Sequence, residues 1–121
     1  ARGYEIIRAE AMLVRDQIST FASSAVVIGC AGAAFANTLY CPPGAVIVEI
    51  KPERMGSLWV SSICLLMGLK WAPYFCDSRP PDDPVVHGGK VRPSIGISFD
   101  VDLADFIAYL DRVTEEDSSP F

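Results

Sequence analysis

Short apolar runs alternate with segments of helical spacing along most of the chain. The β-branched run Ala25–Gly29 and the apolar run Ala45–Ile50 predict two strands, because near-continuous apolar runs are typical of strands buried on both faces. A turn of small residues follows the first run and opens a predicted helix over residues 32–40, which Pro42 and Pro43 end. A strand, a turn and a helix start therefore follow one another directly.

Further elements are predicted from the same kind of pattern. Strands are expected at Tyr4–Ile7, Leu69–Phe75 and Ile95–Phe99, and Pro73 favours an edge position or a strand end. Three more helices are expected, with the buried stripes Val14, Ile18, Phe21, Ala22 and Ala25; Trp59, Ile63, Leu66 and Met67; and Leu103, Phe106, Ile107 and Leu110. The expected N-caps are Ser57 and either Asp100 or Asp102, and the expected helix stop is Gly68.

Strands that alternate with helices indicate an α/β fold with a mostly parallel sheet. With 121 residues, the chain fits one domain over residues 1–121, with a long irregular loop over residues 76–94 and an acidic tail over residues 115–121. Half of the residues are hydrophobic and the mean hydropathy is +0.30, which suits a sheet covered on both faces.

Charge and cysteine usage exclude several functions. The net charge of -5 and the pI near 4.7 argue against binding to nucleic acid or to anionic membranes. No apolar run approaches the roughly 20 residues of a membrane span. The cysteines at positions 30, 41, 64 and 76 show no CxxC spacing, so we expect no metal site and favour buried free thiols over disulfides.

The turn after the first apolar run is the main candidate for chemistry. Gly32, Ala33 and Ala34 would let a diphosphate approach the backbone N–H groups at the helix start, or they would simply let the helix pack on the sheet. Asn37 would either cap a local carbonyl or reach the same ligand. The sequence contains no Walker lysine loop, no GxGxxG fingerprint and no nucleophile-elbow serine.

Two residues of the following segment are also candidates. Glu49 interrupts an apolar strand near its carboxyl end, where a carboxylate could accept from ribose hydroxyls; alternatively it faces solvent or pairs with Lys51 or Arg54. Ser57 precedes a helix start, as a second anion site or as a simple N-cap. Other side chains considered for a ligand, with core, interface or solvated roles as the alternatives, are Arg79, Lys90, Arg92, His87, Trp71, Tyr74 and Phe75.

Several segments, in order, resemble glycosyltransferase family 61. Val27–Tyr40 resembles that family's Gly-Pro-His-Gly-Ala-x-x-x-Asn-x-x-Phe block, and Pro43–Ile50 resembles the Pro-Gly-x-x-x-x-Glu strand that follows it. Asp16–Ala22, Trp59–Leu69 and Val101–Leu110 resemble the flanking helices. Two positions depart from the pattern: Ala31 stands where a histidine is expected, and Cys30 where a proline is common.

The resemblance implies the C-terminal, donor-binding lobe of a GT-B glycosyltransferase, a Rossmann-like three-layer parallel sheet with helices on both faces. The expected donor is a UDP-linked nucleotide sugar held without a metal or another cofactor, and the acceptor is a glycan or a protein. The expected donor-binding residues are Gly29, Gly32, Ala33, Asn37, Glu49 and Ser57. The catalytic base would lie in the N-terminal acceptor lobe, which this chain lacks, so no catalytic residue is named and the chain alone is expected to be inactive.

Two other functions remain open. One is a non-catalytic, degenerate α/β binding or interaction module, which Ala31 favours because its side chain cannot donate to a phosphate. The other is an unrelated Rossmann-like enzyme for a small molecule, which the missing glycine fingerprint disfavours. A eukaryotic glycosyltransferase of this kind would face the Golgi or ER lumen, and a bacterial one would be cytoplasmic.

Overall fold

The computed structural model describes residues 3–52, 57–76, 78–79, 86–87, 90–91 and 98–115. Three strands form a parallel sheet in the order β1–β2–β3, with bounds Val26–Cys30, Val46–Pro52 and Lys70–Cys76. The α/β class with a parallel sheet is therefore confirmed. Because β3 lies at the edge of this sheet, the edge position expected from Pro73 is confirmed as well.

Two short antiparallel pairs accompany this sheet. The strand β4 (Ser78–Arg79) pairs with β7 (Ser98–Phe99), and β5 (Val86–His87) pairs with β6 (Lys90–Val91). An irregular loop over residues 76–94 is thus wrong where these strands lie, and its other positions between 77 and 94 fall outside the described residues. Of the strand expected at Ile95–Phe99, the last two residues are confirmed and the rest lies outside the described part.

The central strand β2 sends alternate side chains to two hydrophobic clusters. Ile47 packs on one face with residues from α1 (Val14–Ala22), a 3₁₀ helix (Ala33–Tyr40) and α2 (Trp59–Met67). Val46 and Val48 pack on the other face with α3 (Leu103–Thr114). The buried partners are Phe21, Phe35, Val60 and Cys64 in the first cluster, and Phe106, Leu110 and Val113 in the second. Helices therefore cover both faces of the sheet.

The crossovers explain why most helices lie on one face. Both β1–3₁₀ helix–β2 and β2–α2–β3 connect neighbouring parallel strands, and the sheet order never reverses. Because such crossovers share one hand, steps taken in the same direction place both helices on the same face. The starts of the 3₁₀ helix and of α2 therefore lie at the carboxyl edge of the sheet, where we expect ligands to bind.

The predicted helix over residues 32–40 is confirmed, but it is a 3₁₀ helix. It begins at Ala33 and ends at Tyr40, just before the two prolines. The buried hydroxyl of Thr38 donates to the carbonyl of Phe35 at 2.7 Å, a three-residue link that matches the tighter 3₁₀ winding. Gly68 ends α2 with φ of 69°, which confirms the predicted stop.

Three predictions on the helices and the first segment are wrong or partly so. The stripe expected on α2 is wrong, because Val60 and Cys64 face the sheet; apart from Ser61 and Ser62 this helix is apolar, so its pattern did not select a face. In α3, Leu103 is exposed and Val113 is buried instead. No strand forms at Tyr4–Ile7, where residues 3–8 have no regular secondary structure.

Of the two expected helix N-caps, one is confirmed and one is wrong, and the stripe expected on α1 is confirmed in part. A side-chain oxygen of Asp102 accepts from the backbone N–H of Asp105 at 3.1 Å, so the second of the two expected N-caps of α3 is the correct one. Ser57 does not cap α2, whose N-cap is Leu58 without a side-chain hydrogen bond. In α1, Phe21 is buried and Ile18 half-buried, as predicted, but Val14, Ala22 and the following Ala25 are exposed.

Candidate functional site

The turn between β1 and the 3₁₀ helix lies at the carboxyl edge. Gly32 and Ala33 are exposed there, so small residues leave the backbone at the helix start accessible. The N–H of Ala31 donates to the carbonyl of Ile50 at 2.9 Å, which ties the turn to the end of β2. The N–H of Phe35 donates back to Gly32 at 3.2 Å. Two backbone donors of this segment are therefore already occupied within the chain.

Gly29 and Gly32 differ in why a residue without a side chain fits at their positions. A Cβ on Gly29 would lie 3.3 Å from the ring of Phe35, so the glycine makes room for that buried ring. A Cβ on Gly32 would meet only the carbonyl oxygen of Cys30, at an ordinary 3.7 Å, and its φ of 176° is extended. Gly29 also lines a cavity of about 200 Å³ with Cys30 and Ala34 at the start of the 3₁₀ helix.

Asn37 lies farther along the 3₁₀ helix and connects it to α1. Its Nδ2 donates to Oε1 of Gln17 at 2.8 Å, and Nε2 of Gln17 donates to the carbonyls of Ala9 at 2.7 Å and Met12 at 3.1 Å. The alternative that Asn37 caps a local carbonyl is therefore wrong. Through Gln17, Asn37 connects its helix to α1 and to a short 3₁₀ helix at Ala9–Ala11, and its amide nitrogen is engaged away from the helix start.

Glu49 is 3 % exposed in the middle of the central strand, beside Gly29 in the register. The indole Nε1 of Trp71 donates to its Oε1 at 3.0 Å. A solvent-facing position for Glu49, one of the alternatives for this residue, is therefore wrong. Burial first, and then the charges of Glu49 and Cys41, raise the pKa of the Cys64 thiol to about 11, which places this carboxylate close to α2.

The structure adds Lys51 to the buried polar residues of β2. The sequence suggested this residue only as a possible partner of Glu49. Its side chain is 2 % exposed, and its Nζ donates to the carbonyl oxygen of Ser57. The signal was the spacing of Glu49 and Lys51, because residues two apart in a strand share a face. Ser57 thus contributes through its backbone, and its own side chain is exposed. The end of β2 and the start of α2 are joined at this point.

The remaining candidates separate by face. Tyr74 packs against α3, with its ring centroid 5.0 Å from Phe106 and 5.4 Å from Tyr109. Its hydroxyl donates to Asp105 Oδ2 at 2.6 Å, and this hydrogen bond, with smaller contributions from burial and nearby charges, raises the pKa of Tyr74 to about 12. Phe75 is exposed. The side chains of Arg79, Lys90, Arg92 and His87 lie outside what the structure describes.

A larger cavity of about 520 Å³ lies elsewhere, between the first segment of the chain and β1. Its walls include residues 3–7, Thr20, Ser24 and residues 26–28. None of the predicted donor-binding residues lines it. Cavity size alone therefore does not locate the candidate site, which is defined by the strand ends and the helix starts.

The cysteines of the described residues are free thiols, and neither a metal site nor a membrane span is found in that part of the chain. Cys30 is an exposed free thiol, whereas Cys41 and Cys64 are free and buried, and burial raises the pKa of Cys41. Within the described residues, no group of three or more His, Cys, Asp or Glu side chains is placed to hold a metal ion. None of the helices in that part of the chain combines the length and apolar composition of a membrane span.

A comparison with models of protein families gives a match to part of the chain. The family model described as Glycosyltransferase 61 matches residues 1–48, which contain α1, β1, the 3₁₀ helix and the first residues of β2. Searches of the curated proteins and of the solved structures return no match.

Proposed function

We propose that the chain belongs to glycosyltransferase family 61, whose model matches residues 1–48, and that it forms the donor-binding lobe of such an enzyme and holds a nucleotide sugar. The observation that carries this proposal is the location of the match. It covers a parallel strand, an exposed turn of small residues and a helix start, the arrangement at which parallel α/β sheets bind anionic ligands. The lobe is proposed to be Rossmann-like and of the GT-B type.

The diphosphate of the donor is placed at Gly32 and Ala33. Both residues are exposed and have no bulky side chain, so phosphate oxygens can approach the N–H groups that begin the 3₁₀ helix. Gly29 supports this contact indirectly. Because it has no side chain, the ring of Phe35 can pack beneath the helix start. Asn37 holds the same helix against α1 through Gln17.

The nucleoside is placed beside Glu49. A carboxylate has several acceptor positions, and Trp71 donates to one of its oxygens, so Glu49 can also accept from ribose hydroxyls. Ser57 lies at the same edge of the sheet, just before the start of α2, and we include it in the proposed site for that reason.

The proposed reaction needs a second lobe. In sugar transfer, an acceptor oxygen bonds to the anomeric carbon while the bond from that carbon to the diphosphate oxygen breaks. A base takes the acceptor proton, and the donor lobe stabilises the negative charge on the departing diphosphate. We propose that the base lies in an acceptor lobe that binds the glycan or protein, that a UDP-linked donor is used without a metal, and that this chain alone is inactive.

An exposed apolar surface supports contact with another lobe or partner. Leu65 is 84 % exposed and Leu66 82 % exposed on α2. Other exposed large apolar side chains on α2 and beside its start are Leu58, Trp59 and Met67. A surface of this kind is typical of an interface rather than of an isolated domain.

A second candidate function is the non-catalytic binding module. Ala31 favours it, because its side chain cannot donate and its backbone N–H is already bound to Ile50. Replacing Ala31 with histidine separates the two functions. A gain in nucleotide affinity would indicate a site that has lost one contact, and an unchanged absence of binding would indicate that no donor site exists.

The test is a titration of the chain with UDP, GDP and CMP, followed by the backbone amide shifts. We expect saturable shifts clustered at residues 29–37, Glu49 and Ser57. The nucleotide that binds most tightly identifies the nucleobase of the donor. Shifts confined to the surface of α2, or no shift in a folded sample with any of the three nucleotides, would contradict donor binding by this chain. A variant at the exposed Leu66, Leu66→Ala, is the matched control, because it lies outside the proposed site and should not change the affinity.

A further inference from the structure

We propose that the outer edge of β1 is a docking site for one strand of a partner, a short, extended and apolar segment with a basic residue at its end. The segment would extend the parallel sheet beyond β1, a mode of recognition in which hydrogen bonds between main chains supply the affinity. The site lies along the side of the sheet rather than at the carboxyl edge, so the inference does not rest on donor binding.

The backbone hydrogen bonds show which groups of β1 face outward. The N–H of Val46 donates to the carbonyl of Ala25 at 2.9 Å, and the N–H of Ala31 donates to the carbonyl of Ile50 at 2.9 Å. The N–H and C=O of one strand residue point to the same side, and the side alternates along the strand, so every second residue between Ala25 and Ala31 faces away from β2. These outward residues are Val26, Ile28 and Cys30. In the described part of the chain, nothing bonds to their outward backbone groups.

The other edge of the sheet, on β3, is blocked. The N–H of Lys70 donates to the carbonyl of Ala45 at 2.9 Å, so by the same alternation Pro73 faces away from β2. Proline has no N–H to offer, and the carbonyl of Pro73 already accepts from the hydroxyl of Tyr109 at 2.6 Å. Sheets use proline in this way because unpaired edge groups are a template for another chain. The sequence of β1 contains neither proline nor a charged residue, so only one of the two edges is protected.

The space beside β1 fits one strand. The cavity of about 520 Å³ lies between residues 26–28 and residues 3–7. One strand residue fills roughly 160 Å³ of a covered sheet, taking about 3.3 Å along the strand, about 4.8 Å between strands and about 10 Å between layers. The cavity therefore holds about three residues, which matches the stretch of β1 that lines it. A second cavity, of about 200 Å³, borders residues 27–30 of the same strand.

The first segment of the chain is consistent with a strand in this position. Residues 4–7 have the sequence of a strand but form none, and Ile6 is 94 % exposed. Ile7 is half-buried against the cluster around Ile47, so the segment is held beside the sheet but separated from β1 by the cavity. A strand in the cavity would pair with β1 on one side and meet residues 4–7 on the other. The strand-like sequence of that segment then has a reason.

The cavity walls define the chemistry of the partner. Most of the lining side chains are apolar, and the charged one in each cavity is acidic, Glu5 in the larger and Glu10 in the smaller. The chain also carries a net charge of -5, so an apolar segment that ends in lysine or arginine is complementary and an acidic one is repelled. A second copy fits less well. Its β1 would bring β2 with it, and residues 3–7 would have to leave the opposite wall.

The experiment measures hydrogen exchange of the backbone amides by NMR, with and without an acetylated and amidated peptide of sequence Lys-Val-Ile-Val-Lys. In the protein alone, the outward amides of Val26 and Ile28 should exchange rapidly, whereas those of Val27 and Gly29 should exchange slowly because they donate to β2. The peptide at saturation should slow exchange of the two outward amides by about 10-fold or more. The amide of Phe75, which faces outward on the blocked edge, should not change.

Two controls separate strand pairing from unspecific apolar contact. Ile28→Pro removes an outward N–H and no bond to β2, as Pro73 does on β3, so the variant should keep the native spectrum and lose the peptide. A peptide with glutamate in place of both lysines should bind at least about 10-fold more weakly. If Ile28→Pro does not fold, the exchange of Val26 and Ile28 in the unmodified protein decides.

Every other occupant gives its own result. Slow exchange of Val26 and Ile28 in dilute protein without peptide would show that residues 4–7 pair with β1 themselves, and the proposal would be overturned. Protection that appears only at high protein concentration, together with a doubled mass in sedimentation, would assign the edge to a second copy and overturn it as well. Unchanged exchange at the highest soluble peptide concentration has the same consequence. The nucleotide titration is scored separately, so donor binding stands or fails without regard to these outcomes.

Discussion

Replacing Trp71 with phenylalanine tests how the buried carboxylate of Glu49 is held. The substitution keeps an aromatic ring and removes the indole N–H, which donates to Glu49 Oε1 at 3.0 Å. Because Glu49 is 3 % exposed, water replaces the lost donor poorly. A hydrogen bond to a charged group contributes about 1.5–3 kcal/mol, so we expect the free energy of unfolding to fall by that amount.

The assay is urea unfolding followed by circular dichroism, for Trp71→Phe in two backgrounds. In the natural background the full loss is expected. In the background of Glu49→Gln, the neutral amide is less costly to leave without its donor, so the same substitution should cost about 1 kcal/mol less. An equal cost in both backgrounds would refute the argument and would assign the whole effect to the missing ring atoms. Tyr74→Phe is the control on the same strand, since it loses a hydrogen bond on the opposite face.

Three further predictions test other parts of the structure. Cys30 should react with a thiol reagent at pH 8 in the folded protein, whereas Cys64, buried and with its pKa raised to about 11, should react only after unfolding; rapid labelling of Cys64 in the folded state would contradict its burial. The pKa of Tyr74 is raised to about 12, so its stabilisation is complete below pH 10 and is lost as pH rises through 12; the stability difference between the natural protein and Tyr74→Phe should shrink over that window, and a constant difference would refute the assignment. Gly29→Ala should destabilise by about 1–3 kcal/mol, because its Cβ would lie 3.3 Å from a buried ring, while Gly32→Ala should cost much less in thermal unfolding; equal costs would contradict the geometry.

Much of the sheet could be predicted because clear helix-stop signals separate its strands in the sequence. Pro42 and Pro43 end a helix, Gly68 ends another, and the apolar runs between them have the length of buried strands. The face of α2 could not be predicted, since its apolar residues occur on every side and Val60 and Cys64 are selected only by contact with the sheet. Helical spacing indicated that α2 exists but not how it is rotated.

The candidate site shows the same division. The order of strand, turn and helix start was visible in the sequence, because Gly32 and Ala33 follow an apolar run directly. The burial of Glu49 and its hydrogen bond to Trp71 were not visible, since they depend on which strand is central and which residues are neighbours across the sheet. Lys51 could have been found from its spacing to Glu49, but only the sheet order shows that this face is covered.

The distribution of helices over the two faces has a consequence for synthesis of the protein. In the described part of the chain, α3 supplies the helical cover over Val46 and Val48. That helix leaves the ribosome several seconds after β2, at ordinary rates of translation. During that interval the Ile47 side of the nascent sheet can already be covered by its crossover helices, while the Val46 and Val48 side still lacks α3. Synthesis that stops before Leu103 would therefore leave Val46 and Val48 without the helix that buries them, and we expect chaperones and proteases to act on such a product.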